Sequence, residues 1–393
     1  MSRPSRGIEV IVVGAGIVGS AIALGLARQG RRVALVEARP PVAWAADAAP
    51  DLRVYAISPG SQALLEHLGV WPQIAVSRAQ PYQSMQVWDA GGGGSLGLNS
   101  HEAGLPALGH IVEAGLIQWQ LWLALQQSDV AMHAPARVEA WADDGGEGVL
   151  QLDTCTLRAP IVIAADGAQS PLRELAGIAS RGHDYGASGL VAYVRCARGH
   201  ADTAWQRFLP SGPLAVLPCT QGLASIVWSL PSAEAKRLRE APVEVFEREL
   251  TRAFDARLGE MRLASERASF PLRLLLAERY RQGPLLLAGD AAHAVHPLAG
   301  QGVNLGLQDA RELLAVAEEA AARGLPLQHP PLLERYARRR SSENQLAAWS
   351  FDGLNRLFSN DAVLPTLLRG HALGLAGALA PLRRLWVRRA SGL

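Results

Sequence analysis

The chain of 393 residues has few cysteines, a single lysine (Lys236) and no long apolar run. Its three cysteines, Cys155, Cys196 and Cys219, share no metal-like spacing and leave an odd thiol, which argues against a disulfide framework or a zinc site and fits a reducing cytoplasm. No stretch reaches the roughly 20 apolar residues that a membrane-spanning helix needs. The apolar run near residue 10 is interrupted by glycines and lacks a signal-peptide cleavage site. A net charge of +2 without a concentrated basic face argues against a nucleic-acid binder.

The N-terminal segment has the pattern of a nucleotide-binding βαβ unit. The β-branched run Ile8–Val13 predicts a buried strand, and Val33–Glu37 predicts a second one. A helix is expected between them, over about 17–29, closed by Gly30. This order of elements is the one in which a glycine-rich turn can bind a dinucleotide.

Three glycines, Gly14, Gly16 and Gly19, stand between the first strand and this helix. The first permits a tight turn, the second lets the backbone approach a pyrophosphate, and the third allows close helix–strand packing. The helix N-terminus supplies N–H donors and a positive potential. Glu37, at the end of the second strand, can accept hydrogen bonds from a ribose. Together these residues favour dinucleotide binding over a purely structural glycine turn.

A second glycine-rich segment lies almost three hundred residues away. A hydrophobic strand ends in Gly289-Asp290, and the loop Pro297–Asn304, which includes Gly300, Gly302 and Val303, leads into a helix over about 303–322. Asp290 could hydrogen-bond a ribityl hydroxyl, since open α/β folds bind ligands at the carboxyl ends of strands. The helix N-terminus would stabilise the negative charge of a reduced flavin by about 0.3–2 kcal/mol. The two segments together indicate a flavin enzyme.

Other polar residues have two interpretations each. Asp166 follows a predicted strand. Taken alone, it indicates a simple turn; the alternative is a functional residue that acts together with Gly289-Asp290, which also follows a strand. Arg53 is either a surface charge or a cofactor contact, and Gln118 is more typical of a solvated helix position. His293 and His296 favour loop packing over a metal, because no acidic or cysteine ligands lie nearby. His296 as a proton shuttle is the alternative.

The order of patterns predicts an α/β chain with a Rossmann-like domain interrupted by a mixed sheet. The Gly91–Gly94 run predicts a hairpin tip or a loop between domains, and a helix is expected over 112–127. Period-two alternation dominates from about 187 to 230, a helix is expected over about 232–258, and residues from about 330 onward are mostly helical. The expected division is a discontinuous FAD-binding domain at 1–77, 101–178 and 271–330, a substrate-binding sheet domain at 78–100 and 179–270, and a helical C-terminal region at 331–393. Such a chain leaves a cleft between its domains, where small molecules often bind.

The C-terminal tail is basic. After Asp361 it has no acidic residue and five arginines: Arg369, Arg383, Arg384, Arg388 and Arg389. Buried helices with a basic rim are one interpretation, and contact with a membrane surface or a partner protein is the other.

With these motifs in view, the chain resembles the flavin-dependent aromatic hydroxylases (class A monooxygenases), whose fold is that of p-hydroxybenzoate hydroxylase. More narrowly it is similar to the ubiquinone-biosynthesis branch, above all to bacterial enzymes that hydroxylate ring carbon 5 of a 2-polyprenylphenol. The resemblance covers nearly the whole chain and is most specific in Gly289–His293 and His296–Gly306. Supporting matches are Asp51–Ser58, Gly109–Glu113 and Ala165–Ser170.

The resemblance implies a role for each motif. The ADP part of FAD would be held by Gly14, Gly16, Gly19 and Glu37. Further contacts along the cofactor would come from Arg53, Gln118, Asp166, Gly289, Asp290 and the loop of Pro297, Gly300, Gly302, Val303 and Asn304. Of these, Asp166 would also serve the reducing nucleotide. One departure stands out, since Ala114 follows Val112-Glu113 where relatives usually have asparagine.

The implied activity is FAD-dependent hydroxylation of the aromatic ring of a polyprenylated phenol or quinol in ubiquinone biosynthesis. FAD would be reduced by NAD(P)H or another donor that binds transiently, and O2 would form a flavin C4a-hydroperoxide that transfers a hydroxyl group. No catalytic side chain or metal ligand set is indicated. Other ubiquinone-biosynthesis proteins and the inner membrane surface are expected contacts of a cytoplasmic protein. The alternatives are a flavin hydroxylase of another aromatic substrate, and a non-catalytic flavin-binding subunit.

Overall fold

The protein is described by a computed structural model over residues 7–91, 94–295 and 302–358. The helices of these segments are α1 (Ile17–Arg28), α2 (Pro59–His67), α3 (Trp71–Arg78), α4 (Ala114–Gln126), α5 (Pro171–Leu175), α6 (Ser232–Glu240), α7 (Val243–Ala253), α8 (Gly302–Ala322) and α9 (Pro330–Phe358). The strands are β1 (Val10–Val13), β2 (Val33–Val36), β3 (Val54–Ile57), β4 (Ala79–Tyr82), β5 (Ser84–Asp89), β6 (Ser95–Asn99), β7 (Gly109–Glu113), β8 (Ala131–His133), β9 (Val138–Asp144), β10 (Glu147–Leu152), β11 (Thr156–Ala159), β12 (Ile161–Ala164), β13 (Ser180–Cys196), β14 (Thr203–Leu209), β15 (Gly212–Pro218), β16 (Ala224–Pro231), β17 (Met261–Leu263), β18 (Ala268–Ala277), β19 (Arg281–Gln282), β20 (Leu285–Leu287) and β21 (His293–Ala294).

The sheet that positions the glycine-rich turns has six strands in the order β19-β20-β12-β1-β2-β8. All its neighbours pair in parallel except β19. Strands β1, β2, β12 and β20 are buried along their whole length, which explains their continuous runs of Val, Ile and Leu. Because β1, β12 and β20 run in the same direction, their carboxyl ends and the turns that follow lie at one edge of the sheet.

Helices α1 and α8 pack against each other beside this sheet. Gly25 of α1 makes the approach close, since a Cβ at this position would meet the methyl carbons of Leu314 in α8. Gly30 follows α1 with φ +78°, a left-handed conformation that ends the helix. The residues after the first glycine-rich turn thus pack directly on the helix that follows the second one.

A larger sheet has the order β21-β18-β13-β16-β15-β14-β5-β6, with β17 added at β13. Its strands are apolar on both faces. One face, which includes Leu190 and Ile226, forms a core cluster with Phe246 of α7. The residues that alternate with these along the strands point to the other face of the sheet. They include Val191 and Val227, which are paired across β13 and β16. This second face is the wall of the cavity described below.

Two expectations about elements need correction, and a third agrees with the structure. The helix expected over 112–127 begins only at Ala114, because Val112 and Glu113 belong to β7 and pair with β3. The helix expected over 232–258 is two helices, α6 and α7, since Pro242 cannot continue a helix and Ala241 before it is extended. The Gly91–Gly94 run, of which residues 92–93 are outside the described chain, joins the antiparallel strands β5 and β6.

Among the described residues, no helix combines the length and the apolarity needed to cross a bilayer.

The burial of the parallel strands predicts that substitutions in them lower the free energy of unfolding. Leu286, in the middle of β20, is 0% exposed, so Leu286→Ala should lower the free energy of unfolding by about 2–5 kcal/mol. The control Val76→Ala, at a side chain that is 78% exposed, should change it by less than about 0.5 kcal/mol. Urea unfolding followed by circular dichroism measures both, and equal effects would contradict the described core.

Candidate functional site

A cavity of about 420 Å³ lies between the edge of the six-stranded sheet and the apolar face of the larger sheet. It is lined by the turns that follow β1, β12 and β20, by β3, by strands of the larger sheet and by residues of α1, α4 and α8. Of the residues predicted from the sequence, those lining it are Gly16, Arg53, Gln118, Gly289, Asp290, Gly302 and Val303. Segments almost three hundred residues apart therefore meet at one cavity.

The first glycine-rich turn is shaped by packing and leaves one open position. Gly14 has φ +102°, and a Cβ there would collide with the carbonyl group of Ala165. A Cβ at Gly19 would collide with the carbonyl oxygen of Gly14. At Gly16, in contrast, a Cβ would meet nothing within 4 Å. The first and third glycines are thus required by the protein itself, whereas the second leaves space for a ligand to approach the backbone.

Two side chains hold the peptide of Ala15 in this turn. Glu37 Oε2 accepts a hydrogen bond from Ala15 N at 2.5 Å, and its Oε1 accepts one from Arg39 N at 2.7 Å. Gln118 Nε2 donates to Ala15 O at 3.1 Å. Gln118, which sequence reasoning alone treated as solvated, is half-buried and faces the cavity. Glu37 does not line the cavity but fixes the turn that does.

Asp166 has an unused acceptor next to the same turn. Its Oδ2 accepts from Leu172 N at 3.1 Å, while its Oδ1 is buried without a partner in the described chain. Burial raises the pKa of Asp166, although hydrogen bonds from Ser170 and Leu172 oppose this. A buried oxygen without a partner is uncommon in native proteins, so this carboxylate fits a site that receives a donor from a ligand.

The second turn presents Asp290 to the cavity. Gly289 has φ +60°, and Asp290 follows it with its side chain exposed to the cavity. The surrounding protein raises the pKa of Asp290 by desolvation, while the charges of His293 and Arg53 lower it. Arg53 lines the same cavity with an exposed side chain. The site therefore offers one carboxyl group and one guanidinium group where a polyol chain could lie.

Helix α8 starts at this cavity. Gly302 and Val303, its first two residues, both line it, so the positive end of the helix faces the cavity. Asn304 behaves differently from the expectation for a lining residue, because its Oδ1 accepts from Ser58 N at 3.0 Å and its Nδ2 donates to Ala56 O at 2.8 Å. Its side chain ties α8 to the end of β3 instead of lining the cavity.

Part of the predicted loop is outside the described residues. This applies to Pro297 and Gly300, and to His296 with its alternative role as a proton shuttle. The basic arginines of the tail after Asp361 are outside them too.

Ala114 brings no polar side chain to the start of α4, which is capped from elsewhere. Asp51 Oδ2 accepts a hydrogen bond from Gly115 N at 3.0 Å, and its Oδ1 accepts one from Arg53 N at 2.9 Å. One carboxylate thus caps the start of α4 and orders the backbone that carries Arg53. Glu113, which is buried, forms an ion pair with Arg78 at 3.0 Å.

Sequence reasoning missed a buried polar cluster behind the second turn. His293 is 1% exposed, and its Nε2 lies 2.6 Å from Oδ2 of Asp309, which is fully buried in α8. Arg340 of α9 contacts the other oxygen of the same carboxylate at 2.6 Å. The detectable signal was an aspartate on the apolar face of a helix and an arginine among the helical residues after 330. In the described part of the chain, no group of three His, Cys, Asp or Glu residues could hold a metal ion.

The wall opposite the polar turns is apolar. It is formed by alternate residues of neighbouring strands, among them Val191, Ala215, Leu217, Val227 and Leu272. None of these side chains can donate or accept a proton. A ligand on this wall would be recognised through apolar contact. The polar lining residues lie at or before β3 (Arg53, Tyr55), on α4 (Gln118), on β18 (Arg273) and after β20 (Asp290).

The family of the chain follows from comparison with known proteins. A protein-family model described as "FAD binding domain" matches residues 7–347. The chain belongs to this FAD-binding family. It is 36% identical over 397 residues to the 3-demethoxyubiquinol 3-hydroxylase of Escherichia coli, over 98% of both proteins. It is 37% identical over 386 residues to the ubiquinone hydroxylase UbiL of Rhodospirillum rubrum, over 98% of this chain and 89% of that protein.

These relationships confirm the resemblance to the ubiquinone-biosynthesis branch of the class A hydroxylases, FAD as the cofactor and the assignment as an FAD-dependent monooxygenase. The fold class is confirmed as well. The crystal structure of p-nitrophenol 4-monooxygenase PnpA from Pseudomonas putida aligns with a TM-score of 0.78 at 21% identity, over 98% of both chains.

The position of Asp290 predicts a loss of flavin on substitution. Asp290→Ala removes the carboxylate at the second turn, and losing hydrogen bonds to a charged group should weaken FAD binding by about 10–100-fold. Purified protein should lose most of its yellow colour, and a fluorescence titration with free FAD should give the raised Kd. The exposed control Asp129→Ala should retain both. Full flavin content in Asp290→Ala would contradict the assignment of this turn.

The raised pKa of Asp166 predicts that its substitution has opposite effects on the stability of the apo-protein and on ligand binding. Because the folded-state pKa of this carboxyl is raised, its charge destabilises the folded apo-protein at neutral pH. Asp166→Asn should therefore stabilise the apo-protein by on the order of 1 kcal/mol at neutral pH, while weakening ligand binding. The difference should shrink as the pH falls, because the wild-type carboxyl takes up its proton in the folded protein at a pH above its ordinary pKa. Thermal unfolding of both apo-proteins from neutral to acidic pH is the measurement, and a destabilised variant at neutral pH would refute the interpretation.

Proposed function

We propose that this protein uses FAD and O2 to hydroxylate the aromatic ring of a polyprenylated phenol or quinol during ubiquinone synthesis. The observation that carries the proposal is the composition of the cavity, which is polar at the ends of β1, β12 and β20 and apolar along the larger sheet. A flavin requires the polar edge, and a ring with an isoprenoid chain requires the apolar wall. Two relatives, the 3-demethoxyubiquinol 3-hydroxylase of Escherichia coli and the ubiquinone hydroxylase UbiL of Rhodospirillum rubrum, support this substrate class by the substrates in their names.

The residue roles are part of the proposal. Gly14, Gly16 and Gly19 with α1 would hold the pyrophosphate, and Glu37 would hold the adenosine ribose. The remaining contacts would come from Arg53, Gln118, Asp166, Gly289, Asp290 and the Pro297–Asn304 loop, with Gly302 and Val303 beside the flavin ring. The division into a discontinuous FAD-binding domain, an inserted sheet domain and a helical C-terminal region belongs to the same proposal.

The cofactor supplies the oxygen chemistry when bound, and the side chains supply binding, orientation and exclusion of water. The N-terminal end of α8 would stabilise negative charge on the reduced ring system. Leu217, Val227 and Leu272 would hold the substrate ring against the flavin and keep water away from it. Among the lining residues that the structure describes, the ionisable side chains are Asp290, Arg53, Tyr55 and Arg273, and none of them is one of the wall residues Val191, Ala215, Leu217, Val227 and Leu272. We therefore assign no catalytic acid or base.

The electron donor and other contacts complete the proposal. NAD(P)H or another donor would bind transiently, because the chain has a single glycine fingerprint. The substrate is a lipid, so the basic tail is proposed to contact the inner membrane surface from the cytoplasm or other ubiquinone-biosynthesis proteins.

The apolar wall gives a testable consequence for substrate binding. Leu217→Gln places an unpaired amide among apolar side chains, and this should raise the KM for a short-chain polyprenylphenol about tenfold while FAD content stays unchanged. More of the reductant should be oxidised without hydroxylated product, since water enters. The same substitution at Leu175, which is 46% exposed, is the control. Unchanged kinetics for Leu217→Gln would place the substrate elsewhere.

The proposed function is tested by the lipids of a strain that lacks the gene. Mass spectrometry should show loss of ubiquinone and accumulation of a polyprenylated precursor lacking one ring oxygen. Incubation of the purified holoenzyme with that precursor, a donor and isotopically labelled O2 should add one labelled oxygen atom. Normal ubiquinone in the strain would reject the substrate class and favour another aromatic substrate. Failure to turn over any donor would favour a non-catalytic flavin-binding subunit.

A further inference from the structure

A fully buried carboxylate connects the second turn to helix α9. Oδ2 of Asp309, in the middle of α8, accepts a hydrogen bond from Gly289 N at 2.9 Å and lies 2.6 Å from Nε2 of His293. Its Oδ1 accepts from Arg340 Nε at 2.6 Å and from Asn344 Nδ2 at 3.2 Å. Both oxygens are therefore saturated, one by the turn that carries Asp290 and the other by α9.

The charge of Asp309 is compensated inside the protein. Arg340 is 2% exposed, and beyond its contact with Asp309 it donates to Leu305 O at 3.2 Å and to Asn344 Oδ1 at 2.8 Å. Although burial alone would raise it, the pKa of Asp309 is lowered by His293 and Arg340. The aspartate is thus ionised, and removal of one partner would leave an uncompensated buried charge.

The turn itself has little freedom to rearrange. Gly289 is in the left-handed region, and a Cβ there would lie 3.2 Å from Val18 of α1. Gly306 of α8 is packed against the same residues, because a Cβ there would meet Val18 and would lie 3.3 Å from the Cα of Gly289. With α1 and α8 enclosing it, the orientation of the Gly289 peptide is fixed by its N–H bond to Asp309.

We propose that Asp309 is a positioning residue for FAD. It orients the Gly289–Asp290 turn through the Gly289 N–H and the ring of His293, and Arg340 holds it in place from α9. The affinity for FAD then depends on an acceptor at position 309, not on its charge. This inference rests on the proposed role of Asp290 in FAD binding and goes beyond it, because α9 becomes part of the support of the cofactor site.

The test separates the acceptor from the charge. Arg340→Met accompanies each substitution of Asp309, since a neutral residue at 309 would leave the buried Arg340 cation without its carboxylate. Asp309→Asn in this background keeps an oxygen for Gly289 N and His293, and the amide of Asn344 can rotate to accept from the new amide group. Asp309→Leu in the same background removes the acceptor, and the larger leucine side chain offsets the shorter methionine. All variants are compared with the wild-type protein by fluorescence titration with FAD, at a temperature below every unfolding transition.

The expected result is a split between the two double variants. Asp309→Asn/Arg340→Met should bind FAD within a few-fold of the wild-type protein, and Asp309→Leu/Arg340→Met about tenfold more weakly than the asparagine variant, as for one buried hydrogen bond. The control Glu319→Gln breaks an ion pair with Arg335 that also joins α8 to α9, and should leave the FAD affinity unchanged. If the leucine variant does not fold, Asp309→Ser replaces it, because the serine hydroxyl is too short to reach Gly289 N.

Equal FAD affinities of the asparagine and leucine (or serine) variants would overturn the inference, even if their melting temperatures differ. This outcome is distinguishable from failure of the proposed site. In the latter case Asp290→Ala would itself keep full flavin, whereas failure of the inference alone would leave Asp290→Ala colourless and the double variants equal.

Discussion

The parallel pairing of β12 with β1 and β20 is the constraint on which the cofactor site depends. It brings the turns after residues 13, 164 and 287 to one edge of one sheet. In the first turn, the surrounding backbone leaves no space for a Cβ at Gly14 or Gly19, so both positions require glycine. The same edge supplies an open backbone at Gly16, an unpartnered oxygen at Asp166 and the carboxylate of Asp290. A large dinucleotide needs such a set of contacts in one place, and strand order provides it without any local sequence continuity.

The polar edge and the apolar wall have different physical tasks. Backbone amides, helix N-termini and carboxylates recognise a charged cofactor through directional bonds. The wall of β13, β15 and β16 offers only apolar contact, which would exclude water from a substrate bound there. In the proposed function, cofactor recognition and substrate recognition are thus separated, and the reaction would take place where the two surfaces face each other.

Much of the cofactor site could be predicted from the sequence because its signals are local. Gly14 to Glu37 form one βαβ unit, and Gly289-Asp290 follows an obvious buried strand. Asp309 and Arg340 could not be found in this way, since their partnership depends on the packing of α8 on α9. The pattern of residues also gave no sign that Gln118 faces the cavity, because the direction in which a helix face points is set by tertiary contacts. Asn304 lies in a strong motif, yet its side chain binds the backbone at residues 56 and 58, which no pattern of residues indicates.

If two distant segments hold one FAD molecule in the described cavity, a crystal structure of the protein grown with FAD will show the cofactor there. We expect the pyrophosphate at Gly16, the ribityl chain beside Asp290 and the flavin ring between the start of α8 and Leu217. Electron density for the flavin outside this cavity, or a cavity closed by protein side chains in the flavin-bound crystal, would contradict this expectation.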